Sequence, residues 1–506
     1  MNLKINGYRL DKQQEEIVFD DSKYMLVTAG AGSGKTFTIL GKIYYLINYK
    51  KYKPDEIMCI SFTKAASDNL KKKIKDEFNI DIPVYTFHKL GINIIRKNYK
   101  YEIADNNLLE MITHKFLHED IFKSKKHLKM ISKYFHIKEK NYSEFLKVNT
   151  KNINNLEQLI ITFIRLFKAN NHDLKDFNKF LSKAKCCFWS YQNKKILLTI
   201  ILNVYYNYEK YLENNNEIDF DDMLILSTKL VKEKFDENIK YIIIDEYQDT
   251  SLVRFNLIYE IIKKTNAKLL VVGDDFQSIY RFTGCDLSLF VNFDKYFKDA
   301  KIKKIETTYR NSKQLITIAG NFIMKNKMQI KKKLNSNKSQ EYPIIVNYYE
   351  NEKKDFLKLF EKIVKNDKTI FILGRNNKDI DFVLDKKYFE KNENKIIYKK
   401  NKNIDIKYLT VHKSKGLEAD IVIIINLNDK ITGFPNKIKN DNLLKFLLKN
   451  NKYPYDEERR LFYVALTRAK ETVYLFASKK NPSIFVKEII KDNKLKIKTI
   501  NDDKIR

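Results

Sequence analysis

Short apolar runs alternate along this chain with longer segments whose apolar residues recur every three to four positions. The runs YMLVTA (24–29), EIMCISF (56–62), VYTF (84–87), KYIIIDE (240–246) and KLLVVGD (268–274) are rich in β-branched residues. Unbroken apolar runs of that length predict strands of a parallel sheet covered on both faces. A second set, YPIIVNYY (342–349), TIFILGR (369–375), YLTVHKS (408–414), DIVIIINL (420–427) and ETVYLFA (471–477), reads the same way. Strands alternating with helices predict doubly wound α/β layers, so two such sets predict two related α/β domains. Residues 92–216 carry almost no β-rich run but show helical patterns such as LLEMITHKFLHEDIF and LLTIILNVYYNYEKYLE. This stretch is expected to be a helical insertion in the first domain. The expected division is 1–91 and 217–300 for the two parts of the first domain, 92–216 for the insertion, and 301–490 for the second domain. Residues 491–506 are expected as a basic tail, and KYFEKNENKIIYKKNKN (387–403) as an exposed basic segment.

Length and charge sharpen the picture. At 506 residues the chain exceeds what one compact core supports. Hydrophobic residues make up 43%, enough for globular cores. The formal charge of +32 fits a polyanion partner, because each phosphate neutralised by Lys or Arg releases condensed counterions. An A/T-rich coding bias, with Lys, Asn, Ile, Phe and Tyr all abundant, would give the same charge without such a partner. No apolar run approaches the ~20 residues that span a bilayer. MNLKINGYRLDKQQEE lacks the apolar core of a signal peptide, and the cysteines (Cys59, Cys186, Cys187, Cys285) form no C-x-x-C pair. A reducing, intracellular setting, cytoplasmic or nucleoid, is expected.

Chemistry concentrates in two places. AGAGSGKT (29–36) follows a strand and opens a helix. Glycines there let backbone N–H groups curl around phosphate oxygens, and the helix N-terminus favours the same anion. The loop residues Ala29, Gly30, Ala31, Gly32, Ser33 and Gly34 would form the cradle. Lys35 would reach the β/γ-phosphates of ATP, and the Thr36 hydroxyl would bind Mg2+. The first position is Ala29 where the general phosphate-loop pattern has glycine. YIIIDEYQDTS (241–251) supplies the acids needed for hydrolysis: Asp245 to hold Mg2+ and Glu246 to polarise the attacking water. Acidic pairs after strands also cap helices; beside a phosphate loop, the catalytic reading is preferred.

DEYQDTS and VGDDFQSIYRFTG (272–284) resemble the UvrD/Rep-type helicases of superfamily 1, and the match runs in order along nearly the whole chain. It includes LDKQQEEIV (10–18), SFTKAASDNL (61–70), TFHKLG (86–91), IDFDDML (218–224), ETTYRNS (306–312), TVHKSKGLEADIVII (410–424) and EERRLFYVALTRAK (457–470). Ala29 is the family's usual first loop residue. GDDFQSIYRFTG and TTYRNS lean towards a helicase IV-like branch.

The resemblance implies two RecA-like domains flanking an ATP cleft and an ATP-driven motor on single-stranded DNA, tracking 3′ to 5′. Gln14 then reads the adenine edge, Tyr309 stacks on adenine and Glu418 lies near the ribose. Gln277 senses the γ-phosphate, while Arg310 and Arg468 are arginine fingers. Phe62, Thr63, His88, Tyr280, Phe282 and His412 are the implied DNA contacts. Thr283 stands where many relatives have a DNA-contacting arginine, with Arg281 as a candidate substitute. ATP and Mg2+ are the implied cofactors; single-stranded DNA and its junctions with duplex are the implied partners, with a monomer in solution and no membrane. One rival is a module that binds ATP without turnover. Another is a helicase–nuclease, for which residues 471–506 leave no room. Larger relatives insert a helical accessory domain before the TVHKSKG motif. Only residues 376–409 lie there, so that domain is expected to be a loop or absent.

Overall fold

The structure, a computed structural model, describes residues 4–5, 7–184, 188–364, 367–438, 441–448, 453–493 and 497–499. Two parallel-stranded sheets dominate it. The first has six strands in the spatial order Lys301–Ile305, Tyr24–Ala29, Lys268–Gly273, Tyr241–Ile244, Ile57–Ser61 and Val84–Thr86, every neighbouring pair parallel. Alternate residues of each run enter opposite cores. Met25, Val27, Ile57, Cys59, Tyr241 and Ile243 face one layer of helices, whereas Leu26, Met58, Ile60, Ile242 and Ile244 face the other. Burial of both faces explains why these strands carry no polar alternation.

The strand Lys301–Ile305 departs from the expected division, which began the second domain at residue 301. It pairs with Met25–Ala29 and closes the edge of the first sheet. Only Ile305 in it is fully buried, so its sequence KIKKI shows no apolar run. Edge strands tolerate such lysines and are protected by them.

The second sheet has eight strands in the order Phe389–Asn392, Lys395–Tyr398, Asn401–Thr410, Ile370–Gly374, Ala419–Leu427, Ala469–Ser478, Ile344–Tyr349 and Ile497–Thr499. The last six of these are mutually parallel; the first two join antiparallel. The stretch 387–403 is therefore not an exposed basic segment. It forms a hairpin whose Phe389, Ile396, Tyr398 and Ile404 are buried against Phe356 and Phe360, while its lysines face outwards. Half-buried alternation at a sheet edge carries a weaker signal than a central run, and the abundant Lys and Asn masked it. No accessory lobe stands between Arg375 and Thr410: a short helix (Ile380–Val383), the hairpin and a strand occupy that length. The expected tail is also partly structured, since the helix Ile484–Asp492 enters it and Ile497–Thr499 joins the sheet; the rest of 491–506 lies outside the described residues.

The insertion begins later than residue 92, because the helix Phe87–Ile95 belongs to the first core. It comprises helices from Leu108–His118 to Phe188–Asn214 around their own apolar core. Glu102–Ile103 pairs with Glu217–Ile218 and clips its two connections together. Lys168, at the end of the helix Thr150–Ala169, reaches Asp219 (2.7 Å), Asp222 (2.6 Å) and Glu209 (2.7 Å). The IDFDDML motif thus acts as the joint that fixes the insertion to the first domain. From the second domain, Leu443, Leu444 and Leu447 bury themselves in the insertion's core, and Phe446 stacks on Phe180 at 5.5 Å.

Candidate ATPase and nucleic-acid site

Between the strand Tyr24–Ala29 and the helix Lys35–Asn48 the chain turns with Gly32 at φ +69° and Gly34 at φ +80°. Both angles suit glycine and strain other residues. Space enforces the same choice, because a Cβ on Gly32 would lie 2.5 Å from the Cβ of Arg310. The ETTYRNS segment folds over this loop: the Thr308 hydroxyl donates to Ala31 O (2.6 Å) and Tyr309 N–H to Gly32 O (2.9 Å). Lys35 Nζ donates to Glu246 Oε1 at 2.6 Å. Burial opposes the Lys35 charge, but Glu246, Asp245 and Asp274 outweigh it and raise its pKa. Burial likewise opposes the Glu246 carboxylate, and Lys35 and Lys415 overcome that to hold it at about 2. Asp245 has the reverse outcome: burial first, then the Glu246 charge, pushes it up to about 6.

Glu246 sits at φ +52°, a left-handed conformation that costs a non-glycine residue about 1–2 kcal/mol. The strain aims its carboxylate at Lys35 while Gln248 Nε2 donates to its other oxygen at 2.6 Å. Ser33 Oγ is buried in the loop without a hydrogen-bond partner. An orphaned hydroxyl, a cradle that a Cβ would fill and a cation held by a carboxylate fit a nucleotide phosphate with its Mg2+. Thr36, half-buried, and Asp245 are the residues that could hold the metal.

The two expected adenine-side residues, Gln14 and Tyr309, come together through Asp11. Gln14 Nε2 donates to Ser33 O (3.3 Å), its Oε1 accepts from Asp11 N–H (3.0 Å), and the Tyr309 hydroxyl donates to Asp11 Oδ2 (2.7 Å). Tyr309 keeps its ring 47% exposed beside Gly34. Arg310 Nε donates to Glu418 Oε2 (2.7 Å) and its Nη1 to Thr467 O (3.4 Å), so the expected finger and the expected ribose-side acid form one pair. Arg468 is 1% exposed and donates to Gln277 Oε1 at 3.2 Å. Its burial, reinforced by the Arg310 charge, lowers its pKa to about 9.

The aromatic positions form a ladder that crosses the two domains. Phe62 stacks on Tyr280 with ring centroids 6.0 Å apart and planes at 6°, Tyr280 meets Phe282 at 6.2 Å, and Phe282 meets His412 at 5.6 Å. Phe282 is 52% exposed. His88 stands apart, packed on Phe220 at 4.6 Å. Burial, then the Arg254 charge, lowers the His88 pKa to about 4; burial, then Arg375 and Lys415, does the same to His412. Both are therefore neutral at physiological pH. Thr63 caps the helix Lys64–Phe78 through Ala66 N–H and is exposed. Thr283 turns its hydroxyl to Tyr280 O (2.7 Å), and Arg281 is half-buried on the lining of the same cavity as Phe282, near Glu457 and Asp456. Beside the ladder a cavity of about 1520 Å³, larger than ordinary small-molecule pockets, is lined by Phe282, His412, Arg375, Lys413 and Leu166.

Sequence reasoning missed several participants. Lys415 donates to Asp249 and to Gln277 O (2.9 Å), with its ammonium 4.8 Å above the Tyr280 ring. It lies within the quoted TVHKSKG motif, which was the available signal. Arg254 places its guanidinium 4.7 Å above Phe62, and Lys332 pairs with Asp274 and Asp275; neither had a distinguishing pattern. Elsewhere, His114 and His118 meet one Glu157 oxygen at 2.9 and 3.3 Å, which ordinary hydrogen bonding accounts for. Among the described residues no helix is long and apolar enough to cross a membrane.

Comparison with known proteins agrees with this geometry. Residues 10–298 match the UvrD/REP helicase N-terminal domain and residues 390–480 the UvrD-like helicase C-terminal domain. The chain is 28% identical to DNA helicase IV of Escherichia coli across 97% of its own length and 71% of that protein. It is 26% identical to a probable DNA helicase of Mycoplasma pneumoniae, covering 96% of this chain and 87% of the relative. Against the ATP-dependent DNA helicase Rep of Buchnera aphidicola identity is 30% over 72% of this chain, which spans only 53% of that relative. With one family model covering more than half the chain, this protein belongs to the UvrD/REP helicase family.

Proposed function

We propose that this protein hydrolyses ATP to move along single-stranded DNA, 3′ to 5′, and to open duplex at its junctions. The observation that carries the reading is a contact path from Lys35 through Glu246, Gln248, Asp274 and Gln277 to the aromatic ladder. Gln277 accepts from Arg468 through its side chain and from Lys415 through its backbone oxygen, and Lys415 lies over Tyr280. Nucleotide state and strand grip therefore share residues.

Lys35 neutralises Glu246. A triphosphate in the cradle competes for Lys35 and releases Glu246 Oε1 to accept a hydrogen bond from the attacking water. Thr36 and Asp245 would hold Mg2+, which would supply charge neutralisation at the phosphate oxygens. Arg310, against Gly32, and Arg468, against Gln277, approach from the second-domain side, so their charge acts fully only with the cleft closed. Bases stacked on Phe62, Tyr280 and Phe282 are held whatever their identity, as a sequence-indifferent motor requires. Reopening after hydrolysis would shift the strand between the two gripping surfaces.

A duplex carrying a 3′ single-stranded tail should be opened with ATP, and one carrying only a 5′ tail should not. Equal opening of both, or opening of the 5′-tailed substrate alone, overturns the assigned polarity.

A further inference from the structure

Lys332 lies in the loop that follows the helix Lys313–Ile323, whose apolar side is part of the second domain's core. The loop returns to the first domain. Gln329 Nε2 donates to Asp275 O (3.0 Å), Ile330 N–H to Asp275 Oδ2 (2.8 Å) and Asn335 N–H to Glu306 O (2.8 Å), while Asn326 Nδ2 holds Asp456 O of the second domain (2.9 Å). At its centre Lys332 Nζ donates to Asp274 Oδ1 (2.5 Å) and Asp275 Oδ1 (2.7 Å), with all three side chains wholly buried and the ammonium 3.8 Å from the Phe276 ring centre.

Asp274 is the hub of this cluster. Its second oxygen accepts from Gln277 Nε2 (2.7 Å), and Gln277 Oε1 in turn accepts from Arg468. Its backbone N–H donates to Gln248 Oε1 (2.9 Å), and Gln248 holds Glu246. A side chain on the second domain's return loop thus fixes the residue whose carboxylate holds Gln277 and whose backbone N–H holds Gln248, the partner of Glu246. Burial opposes the Lys332 charge, and Asp274 and Asp275 overcome it, so the ammonium stays protonated.

We propose that Lys332 is a positioning residue for ATP hydrolysis: through Asp274 it sets Gln277 and Arg468, and it ties their placement to the second domain. The inference rests on the ATPase reading above. The alternative is that Lys332 merely neutralises two adjacent buried carboxylates, which matters for folding and not for turnover.

Removing one partner of a buried ion pair is strongly destabilising, so Lys332→Met alone can fail to fold. The double variant Asp275→Asn/Lys332→Met preserves the local net charge and is compared with Asp275→Asn alone. Thermal stability, DNA-stimulated kcat and KM for ATP are measured for each. A misplaced catalytic group costs on the order of 10²-fold, so kcat measured below the melting temperature of both variants should fall by about 10- to 100-fold, with KM near that of Asp275→Asn. Tm falls as well, because the buried Asp274 carboxylate has lost its cation. Lys332→Arg, which keeps a cation, should recover part of the rate. With Gln277→Ala added, the loss of Lys332 should cost less than about 3-fold more, because the relay is already cut. Undiminished kcat in the double variant, or the same full loss on the Gln277→Ala background, overturns the proposal. Absence of any turnover in the unmodified protein would instead defeat the ATPase reading itself.

Discussion

At the scale of single residues, exposure separates binding surface from core. Phe282 is half exposed at the rim of the cavity, so its removal leaves little void. Phe282→Ala should weaken single-stranded DNA binding by about 1–3 kcal/mol, with little change in the salt slope and an unchanged melting temperature. Binding titrations at several salt concentrations check this; a loss of stability as large as the loss of binding would place the ring in the core. His88 and His412 report on acid stability. Their folded pKa values, about 4, lie below the ordinary 6.5, so protons bind the unfolded chain first. The stability they allow is complete above pH 6.5 and is lost as pH falls towards 4, each contributing at most about 1.4 kcal/mol per pH unit in that window. His88→Gln should therefore flatten the decline in unfolding free energy between pH 6.5 and 5, as denaturant titrations across that range would reveal.

At the scale of elements, legibility followed burial. Central strands such as Ile57–Ser61 and Ala419–Leu427 are covered on both faces, so their sequences are unbroken apolar runs and stood out. The edge strand Lys301–Ile305 and the hairpin Phe389–Tyr398 have one face or one flank in solvent, and their lysines blended into a basic chain. The phosphate loop was readable because its chemistry needs glycine, lysine and threonine at fixed spacing. Gln14, Tyr309, Arg310 and Arg468 needed the family resemblance, since only the folded chain joins segments so far apart. Lys332, one of three consecutive lysines, was invisible until the fold placed it against Asp274. The hairpin's structural status can be measured. Phe389 is buried among Phe356, Phe360 and Tyr398, so Phe389→Ala should destabilise the protein by about 3–5 kcal/mol in denaturant unfolding. A cost within about 0.5 kcal/mol would return the segment to an exposed loop.

At the scale of the molecule, three lobes surround one cavity. The insertion is locked to the first domain by Lys168 and to the second by Leu443, Leu444 and Leu447, and the two α/β domains share the nucleotide cleft. Where larger relatives carry an accessory domain, this chain has the Phe389–Tyr398 hairpin. In the proposed function translocation falls to the two α/β domains, and the family resemblance implies duplex contacts for the accessory domain. A lone monomer is therefore expected to show DNA-stimulated ATPase and strand translocation but little unwinding of long duplexes; processive opening of a long tailed duplex by monomeric protein without a partner would contradict this. The central claim is that the Lys35–Glu246 site hydrolyses ATP in response to a strand on the aromatic ladder. Its most direct test is the steady-state ATPase rate with and without saturating single-stranded DNA, for the unmodified protein and for Glu246→Gln. The account predicts strong stimulation by DNA in the first, and loss of turnover with ATP binding retained in the second. Turnover that ignores DNA, or that survives Glu246→Gln at the parent rate, would contradict it.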